Sequence, residues 1–183
     1  FALPAQKVMD SLRARGRLTP TPFDEEVEWS FYRLWHHEGR RARMGVRLFP
    51  DIPAMIEHFA RSMADELRRH NEQGQPTRWI LPVGPVAQYF RLVEISNRER
   101  LSWKNVFTFQ MDEFLDWQGR ALPLEHPLSF EGFMRREVFA RLDAELRPDP
   151  ARLHFPSPFA PDAISDRIRE AGGIDTCFGG VGY

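Results

Sequence analysis

Apolar runs that fit short β-strands alternate with amphipathic patterns that fit α-helices from Met44 onward. The clearest helical pattern runs from Asp51 to His70, where apolar residues recur every three or four positions. Asp51 and Pro53 suit the start of such a helix. Strands separated by helices need crossover connections, which give a parallel sheet with helices on its faces. The sequence therefore predicts an α/β fold, with a mostly parallel, Rossmann-like sheet flanked by helices.

The predicted order of elements places several strand ends on one edge of this sheet. We expect the strands that end near Val83, Met111 and Phe178 to lie side by side and to point the same way. The predicted elements are a strand at 44–49, a helix at 51–70, a strand at 78–81, a helix at 85–95, a strand at 107–111, a helix at 127–142, a strand at 152–155, a helix at 161–171 and a strand at 174–178.

Residues 1–43 form a predicted N-terminal helical extension, and residues 44–183 form the α/β domain. Helical patterns at 4–15 and 24–38 are separated by the Thr-Pro-Thr-Pro sequence at 19–22, which breaks a helix. His36 and the two residues after it invite a metal hypothesis. Consecutive helical residues point about 100° apart, so these side chains do not converge on one ion, and we predict no metal site.

Composition excludes several classes of protein. The formal net charge of −1 over 183 residues argues against a general role on nucleic acid or at a membrane surface. No apolar run approaches the roughly 18 residues that suggest a membrane span. The only lysines are Lys7 and Lys104, so a Schiff-base mechanism has few candidates. The single cysteine, Cys177, is expected to be a core residue rather than a nucleophile, and we expect a cytoplasmic protein.

Two adjacent carboxylates, Asp112 and Glu113, follow the predicted strand at 107–111. Apolar residues alternate there with Thr108 and Gln110, which indicates a buried strand. Ligands of open α/β sheets bind outside the carboxyl ends of the strands, where a carboxylate is placed for acid–base chemistry. The alternative is that Asp112 caps the next segment or simply ends the strand.

Four short motifs, in this order, resemble the glucosamine-6-phosphate deaminase/isomerase family. They are Leu81-Pro-Val-Gly84, Met111-Asp-Glu113, His126-Pro-Leu-Ser-Phe130 and Gly179-Gly-Val-Gly182. The resemblance covers roughly residues 44–183. It implies an enzyme that carries out aldose–ketose isomerisation of a sugar phosphate with amine release and without a cofactor. The implied partner is a small-molecule sugar phosphate rather than nucleic acid or a membrane, and a homo-oligomer is possible.

The resemblance also implies roles for individual residues. Asp112 corresponds to the base that transfers the proton, and Glu113 completes the catalytic pair. Successive residues of an extended chain point to opposite sides, so we expect Asp112 to face the cleft and Glu113 to hold a hydrogen bond within the protein. The residues implied in binding the substrate and its phosphate are Val83, Gly84, Gly180 and Gly182.

Three differences from the family pattern leave other functions open. The turn at 81–85 is shorter and lacks two threonines, and the loop at 115–125 is longer and contains Trp117. The Asp-Gly-His expected next would follow Tyr183, so we expect a domain that is incomplete at its C-terminal end. The alternatives to an isomerase/deaminase are a non-catalytic sugar-phosphate-binding or sensor relative, and a 6-phosphogluconolactonase-like hydrolase. The lactonase pattern has Asp-Glu-Arg where this chain has Asp-Glu-Phe.

Overall fold

The computed structural model describes Lys7, residues 10–18 and residues 47–179. The chain divides into two compact units, Phe1–Phe49 and Pro50–Tyr183. In the first unit, residues 10–14 are helical. The predicted helix at 24–38 and the predicted domain boundary after residue 43 lie outside the described residues, so both stay predictions.

The second unit alternates helices and strands along the chain. The first helix begins where the sequence predicts, because the Asp51 carboxylate accepts a hydrogen bond from the Ala54 N–H at 2.8 Å. The described elements are α1 (Ile52–Glu72), β1 (Thr77–Leu81), α2 (Ala87–Glu99), β2 (Val106–Gln110), α3 (Phe130–Phe133), β3 (Leu153–His154), α4 (Ala163–Glu170) and β4 (Thr176–Cys177).

The four strands form one sheet in the order β3-β2-β1-β4, and every neighbouring pair is parallel. The Met111 N–H donates to the Leu81 carbonyl at 3.2 Å, and the Phe178 N–H donates to the Ile80 carbonyl at 3.0 Å. The predicted α/β class and the shared edge of the strand ends are therefore confirmed.

Two predicted elements differ from the structure. In the described part of the predicted strand at 44–49, residues 47–49 belong to no strand, and Leu48 is 89% exposed. A short apolar run does not decide a strand by itself, because the strand also needs a neighbour to pair with. The predicted helix at 127–142 begins at Phe130 and continues as a π-helical turn, Met134–Val138, and a 3₁₀ turn, Phe139–Arg141.

The main core lies on the face of the sheet that α1 and α2 cover. Trp79 of β1 and Trp103 are both fully buried and meet edge to face, with ring centroids 5.5 Å apart. The Trp103 Nε1–H donates to the Ser96 hydroxyl at 3.0 Å, so its polar edge is satisfied. Around them are buried apolar side chains from both helices and from the helical segment that follows α3.

Two side chains that the sequence pattern predicts to be buried are exposed in the structure. Cys177 is exposed, so the expectation of a core cysteine is wrong. Its strand, β4, pairs only with β1 among the described residues and forms an edge of the sheet there. Met111 is 52% exposed although it continues the apolar alternation of β2, because it lies beyond the last paired residue of that strand.

Candidate active site

The register of β1 and β2 brings two predicted site segments to the same edge of the sheet. Leu81 is paired with Gln110, so the turn that follows β1 and the carboxylates that follow β2 leave the sheet side by side. Val83, Gly84 and Asp112 thus belong to one region, at the carboxyl ends of parallel strands. The other two predicted binding residues, Gly180 and Gly182, lie outside the described residues and stay predictions.

Asp112 is exposed at this edge. Among the described residues, no group donates a hydrogen bond to its carboxylate or forms an ion pair with it. A carboxylate with no structural partner is available to accept a proton from a bound molecule. A capping role for Asp112 finds no support in these contacts.

Glu113 has the opposite environment. Its Oε1 accepts hydrogen bonds from the backbone N–H groups of Phe114 and Phe130, both at 2.8 Å. Its Oε2 accepts from the Glu131 N–H at 2.8 Å and from the Ser129 hydroxyl at 3.4 Å. The carboxylate therefore joins the end of β2 to the start of α3, and it fixes the backbone immediately after Asp112.

The His-Pro-Leu-Ser motif builds the same helix start. The Ser129 hydroxyl is buried and accepts from the Gly132 N–H at 3.0 Å, as an N-cap. His126 Nδ1 accepts from the Leu128 N–H at 3.2 Å, which orders the turn before the cap. The Ser129 and Glu113 side chains together satisfy the first three backbone N–H groups of α3, which the helix itself leaves unpaired.

We expect Glu113→Gln to lower the free energy of unfolding by about 1.5 kcal/mol, because the amide loses charge and one of its two acceptor positions becomes a donor. Urea unfolding measures the change. Glu125→Gln is the matched control, since Glu125 is an exposed carboxylate of the same loop. Equal stability of both variants would contradict the bridging role of Glu113.

The turn from Pro82 to Val86 is held by side chains of the helix that follows it. Gln88 Nε2 donates to the Pro85 carbonyl at 2.6 Å, and the Tyr89 hydroxyl donates to the Pro82 carbonyl at 2.6 Å. Burial raises the pKa of Tyr89, so its hydroxyl stays protonated and keeps donating. Gly84 has φ +153°, a conformation that other residues rarely adopt.

The start of α2 has donors to offer a ligand. No side chain caps the helix at Val86. Among the described residues, the Tyr89 N–H donates to the Val86 carbonyl at 3.0 Å, whereas the N–H groups of Ala87 and Gln88 have no partner. Both carbonyls that Gln88 and Tyr89 bind belong to the turn, so the turn is fixed without the use of these N–H groups. This arrangement suits an anion.

The long loop after Glu113 contains a small hairpin. Leu115 and Ala121 form an antiparallel bridge, and Asp116 accepts from the backbone N–H groups of Gln118 and Arg120 at 2.8 and 3.0 Å. These bonds, together with the Arg120 guanidinium, lower the pKa of Asp116. Trp117 at the tip is 89% exposed. The hairpin therefore holds an exposed indole, four residues after Glu113, on an ordered support.

Gln110 is a residue of this region that the sequence does not single out. Its side chain is 2% exposed, and neither amide atom has a hydrogen-bond partner among the described residues. The available signal was a polar residue at the last position of a central strand, directly before the carboxylates.

The described residues contain a cleft of about 760 Å³ elsewhere, between α1 and the start of β4. Its polar lining is partly engaged, since the Thr176 hydroxyl donates to Glu66 at 2.8 Å and His70 contacts the Thr77 hydroxyl at 3.0 Å. Within the described part of the chain, no cluster of three or more His, Cys, Asp or Glu side chains is arranged to hold a metal ion. Likewise, no described helix has the length and hydropathy needed to cross a membrane.

Comparison with known proteins gives several similar sequences. Glucosamine-6-phosphate deaminase of Aedes aegypti is 36% identical over 118 residues, which cover 58% of this chain and 39% of that protein. The Caenorhabditis elegans deaminase is 31% identical over 136 residues, covering 70% and 48%. Human glucosamine-6-phosphate deaminase 2 is 36% identical over 110 residues, covering 56% and 37%. The chain thus spans less than half the length of each of these proteins.

A solved structure supports the fold. It is that of a monomeric glucosamine-6-phosphate deaminase, described as a missing link of the NagB superfamily, and it matches with a TM-score of 0.51 and 22% identity. The match covers 67% of this chain and 48% of that one. No protein-family model matches the chain.

Proposed function

Because this chain belongs to the glucosamine-6-phosphate deaminase family, we propose that the protein isomerises glucosamine 6-phosphate and releases its amine. The observation that carries the proposal is the division of roles between two adjacent carboxylates. Asp112 is exposed and unpartnered among the described residues, while Glu113 is held by backbone N–H groups. This is the arrangement that a base and its support require.

The proposed chemistry is a proton transfer followed by hydrolysis. The Asp112 carboxylate removes the proton from C2 of the open-chain aldose, while the C1 oxygen gains a proton that the ammonium group loses, so that a C1–C2 enol-amine forms. Return of the C2 proton to C1 then leaves a hydroxymethyl group at C1 and a protonated imine at C2. Water then adds to the imine carbon, and ammonia leaves as the ketone forms. No electron passes to an external acceptor in these steps, so the reaction needs no redox cofactor.

The turn at 82–86 is the proposed phosphate anchor. Its support comes from the uncapped start of α2 and from the side chains of Gln88 and Tyr89, which hold the turn through its carbonyls. Proline at position 85 has no N–H to donate, so this anchor has fewer donors than a turn without proline. A sugar phosphate bound there places its carbon chain along the strand ends toward Asp112. The cytoplasmic location and a homo-oligomer stay predictions.

The test is a product assay with the intact protein. Glucosamine 6-phosphate should yield ammonium and fructose 6-phosphate in equal amounts. N-acetylglucosamine 6-phosphate should yield no ammonium, because its nitrogen is an amide. Binding without turnover would favour the non-catalytic relative instead, and hydrolysis of 6-phosphogluconolactone would favour the lactonase.

A further inference from the structure

The Gln110 carboxamide is buried at the carboxyl end of β2 without a hydrogen-bond partner among the described residues. Buried polar groups are nearly always paired, since an unpaired amide lowers stability. An apolar side chain of similar length fits such a position at lower cost. The presence of an amide at this position is explained if the amide binds a ligand rather than another group of the free protein.

Gln110 lies beside the candidate active site. It is paired with Leu81, the last residue of β1, and it lies two residues before Asp112. Thr108 lies on the same face of β2 and also has an unpaired buried hydroxyl, but it is paired with Trp79, deeper in the sheet. Of these two unpaired groups, Gln110 is the one beside the candidate site.

We propose that Gln110 is a specificity-determining residue that binds a hydroxyl group of the bound sugar, an inference that rests on the proposed function. The carboxamide offers both a donor and an acceptor, and neither is engaged within the described protein. A hydroxyl group also donates and accepts, so it satisfies both. A phosphate oxygen only accepts and an ammonium group only donates, so each leaves half of the amide unpaired.

In this proposal the Gln110 amide reaches the sugar through a change of side-chain rotamer. Glutamine has three rotatable side-chain bonds, and no hydrogen bond to a described residue has to break for the amide to move toward the strand end. A bound sugar thus supplies the partner that the free protein does not.

The experiment compares Gln110→Met with the matched control Thr108→Val in the intact protein. Both variants remove an unpaired buried polar group, so both should keep or raise the melting temperature. Only Gln110→Met should raise KM for glucosamine 6-phosphate, by about tenfold, because the sugar hydroxyl loses its partner. Steady-state kinetics and thermal unfolding give the two readouts.

Three outcomes would overturn the inference while the proposed function stands. They are an unchanged KM in Gln110→Met, an equal rise of KM in Thr108→Val, and a lower melting temperature in Gln110→Met, which would mean that the amide is already paired in the free protein. If the parent protein releases no ammonium from glucosamine 6-phosphate, the proposed function fails and this inference falls with it.

Discussion

Replacement of Asp112 by Asn is expected to lower the turnover of glucosamine 6-phosphate by about 10²–10⁴-fold, with KM close to that of the parent. Asparagine keeps the shape of the side chain but has no carboxylate to take the proton from C2. The carboxylate makes no hydrogen bond to another described residue, so its loss should leave the melting temperature unchanged. Steady-state kinetics and thermal unfolding measure the two effects separately.

The matched control for this variant is Glu72→Gln. Glu72 is also exposed, but it ends α1 just before the amino end of β1, at the edge of the sheet opposite to the carboxyl ends of the strands. Parent-like turnover is expected for the control. Parent-like turnover in Asp112→Asn as well would end the assignment of Asp112 as the base.

Replacement of Gly132 by Ala is expected to lower the free energy of unfolding by about 3 kcal/mol. A Cβ atom at this position would lie 2.0 Å from the Leu124 carbonyl oxygen and 2.7 Å from Arg136 Nη1. The Arg136 side chain also donates to the same carbonyl, so the loop and the helix are tied together at this point. Alanine favours a helix over glycine by about 1 kcal/mol, which is less than the cost of moving the loop.

Urea unfolding measures the loss, with Gly179→Ala as the control. A Cβ atom at Gly179 meets no heavy atom of the described residues within 4 Å, so its substitution should change stability little. If Gly132→Ala is as stable as the parent, then the close approach of Leu124 to α3 does not exist in solution. Displacement of the Leu124 loop by Gly132→Ala should also lower activity. This loop connects Glu113 to α3, whose first N–H groups bind the Glu113 carboxylate.

The order of helices and strands could be predicted because each apolar pattern has the period of its element. The pattern of α1 is long enough to exclude a strand, and Asp51 marks its beginning. The parallel sheet follows from the alternation, and the shared edge of the strand ends follows from the parallel sheet. Asp112 could be placed at that edge for the same reason.

The buried face of β2 could not be predicted from alternation alone. The apolar residues suggested that one face is buried, yet Thr108 and Gln110 on the other face are buried against the main core. A central strand of a parallel sheet is covered on both faces, so polarity does not distinguish them. For this reason the alternation of β2 does not distinguish Gln110 from the residues that only fill the core.

The contacts of Glu113 were only partly predictable. Strand geometry indicates that it turns away from Asp112, but its partners at Phe130 and Glu131 depend on how the long loop folds back. The exposure of Cys177 depends in the same way on tertiary structure, namely on which strand forms the sheet edge. The local sequence specifies neither how the loop after Glu113 folds back nor which strand forms the edge of the sheet.

The tethering of the 82–86 turn by Gln88 and Tyr89 has a consequence for how a ligand is received. Both tethers bind carbonyls, so the loss of backbone freedom in the turn occurs when the chain folds and not when an anion arrives. A preorganised turn binds its ligand more tightly, because little further conformational entropy of the backbone is lost on binding. The short turn and the missing N–H at Pro85 lower the affinity for an anion. The fixed positions of the remaining N–H groups offset part of that loss.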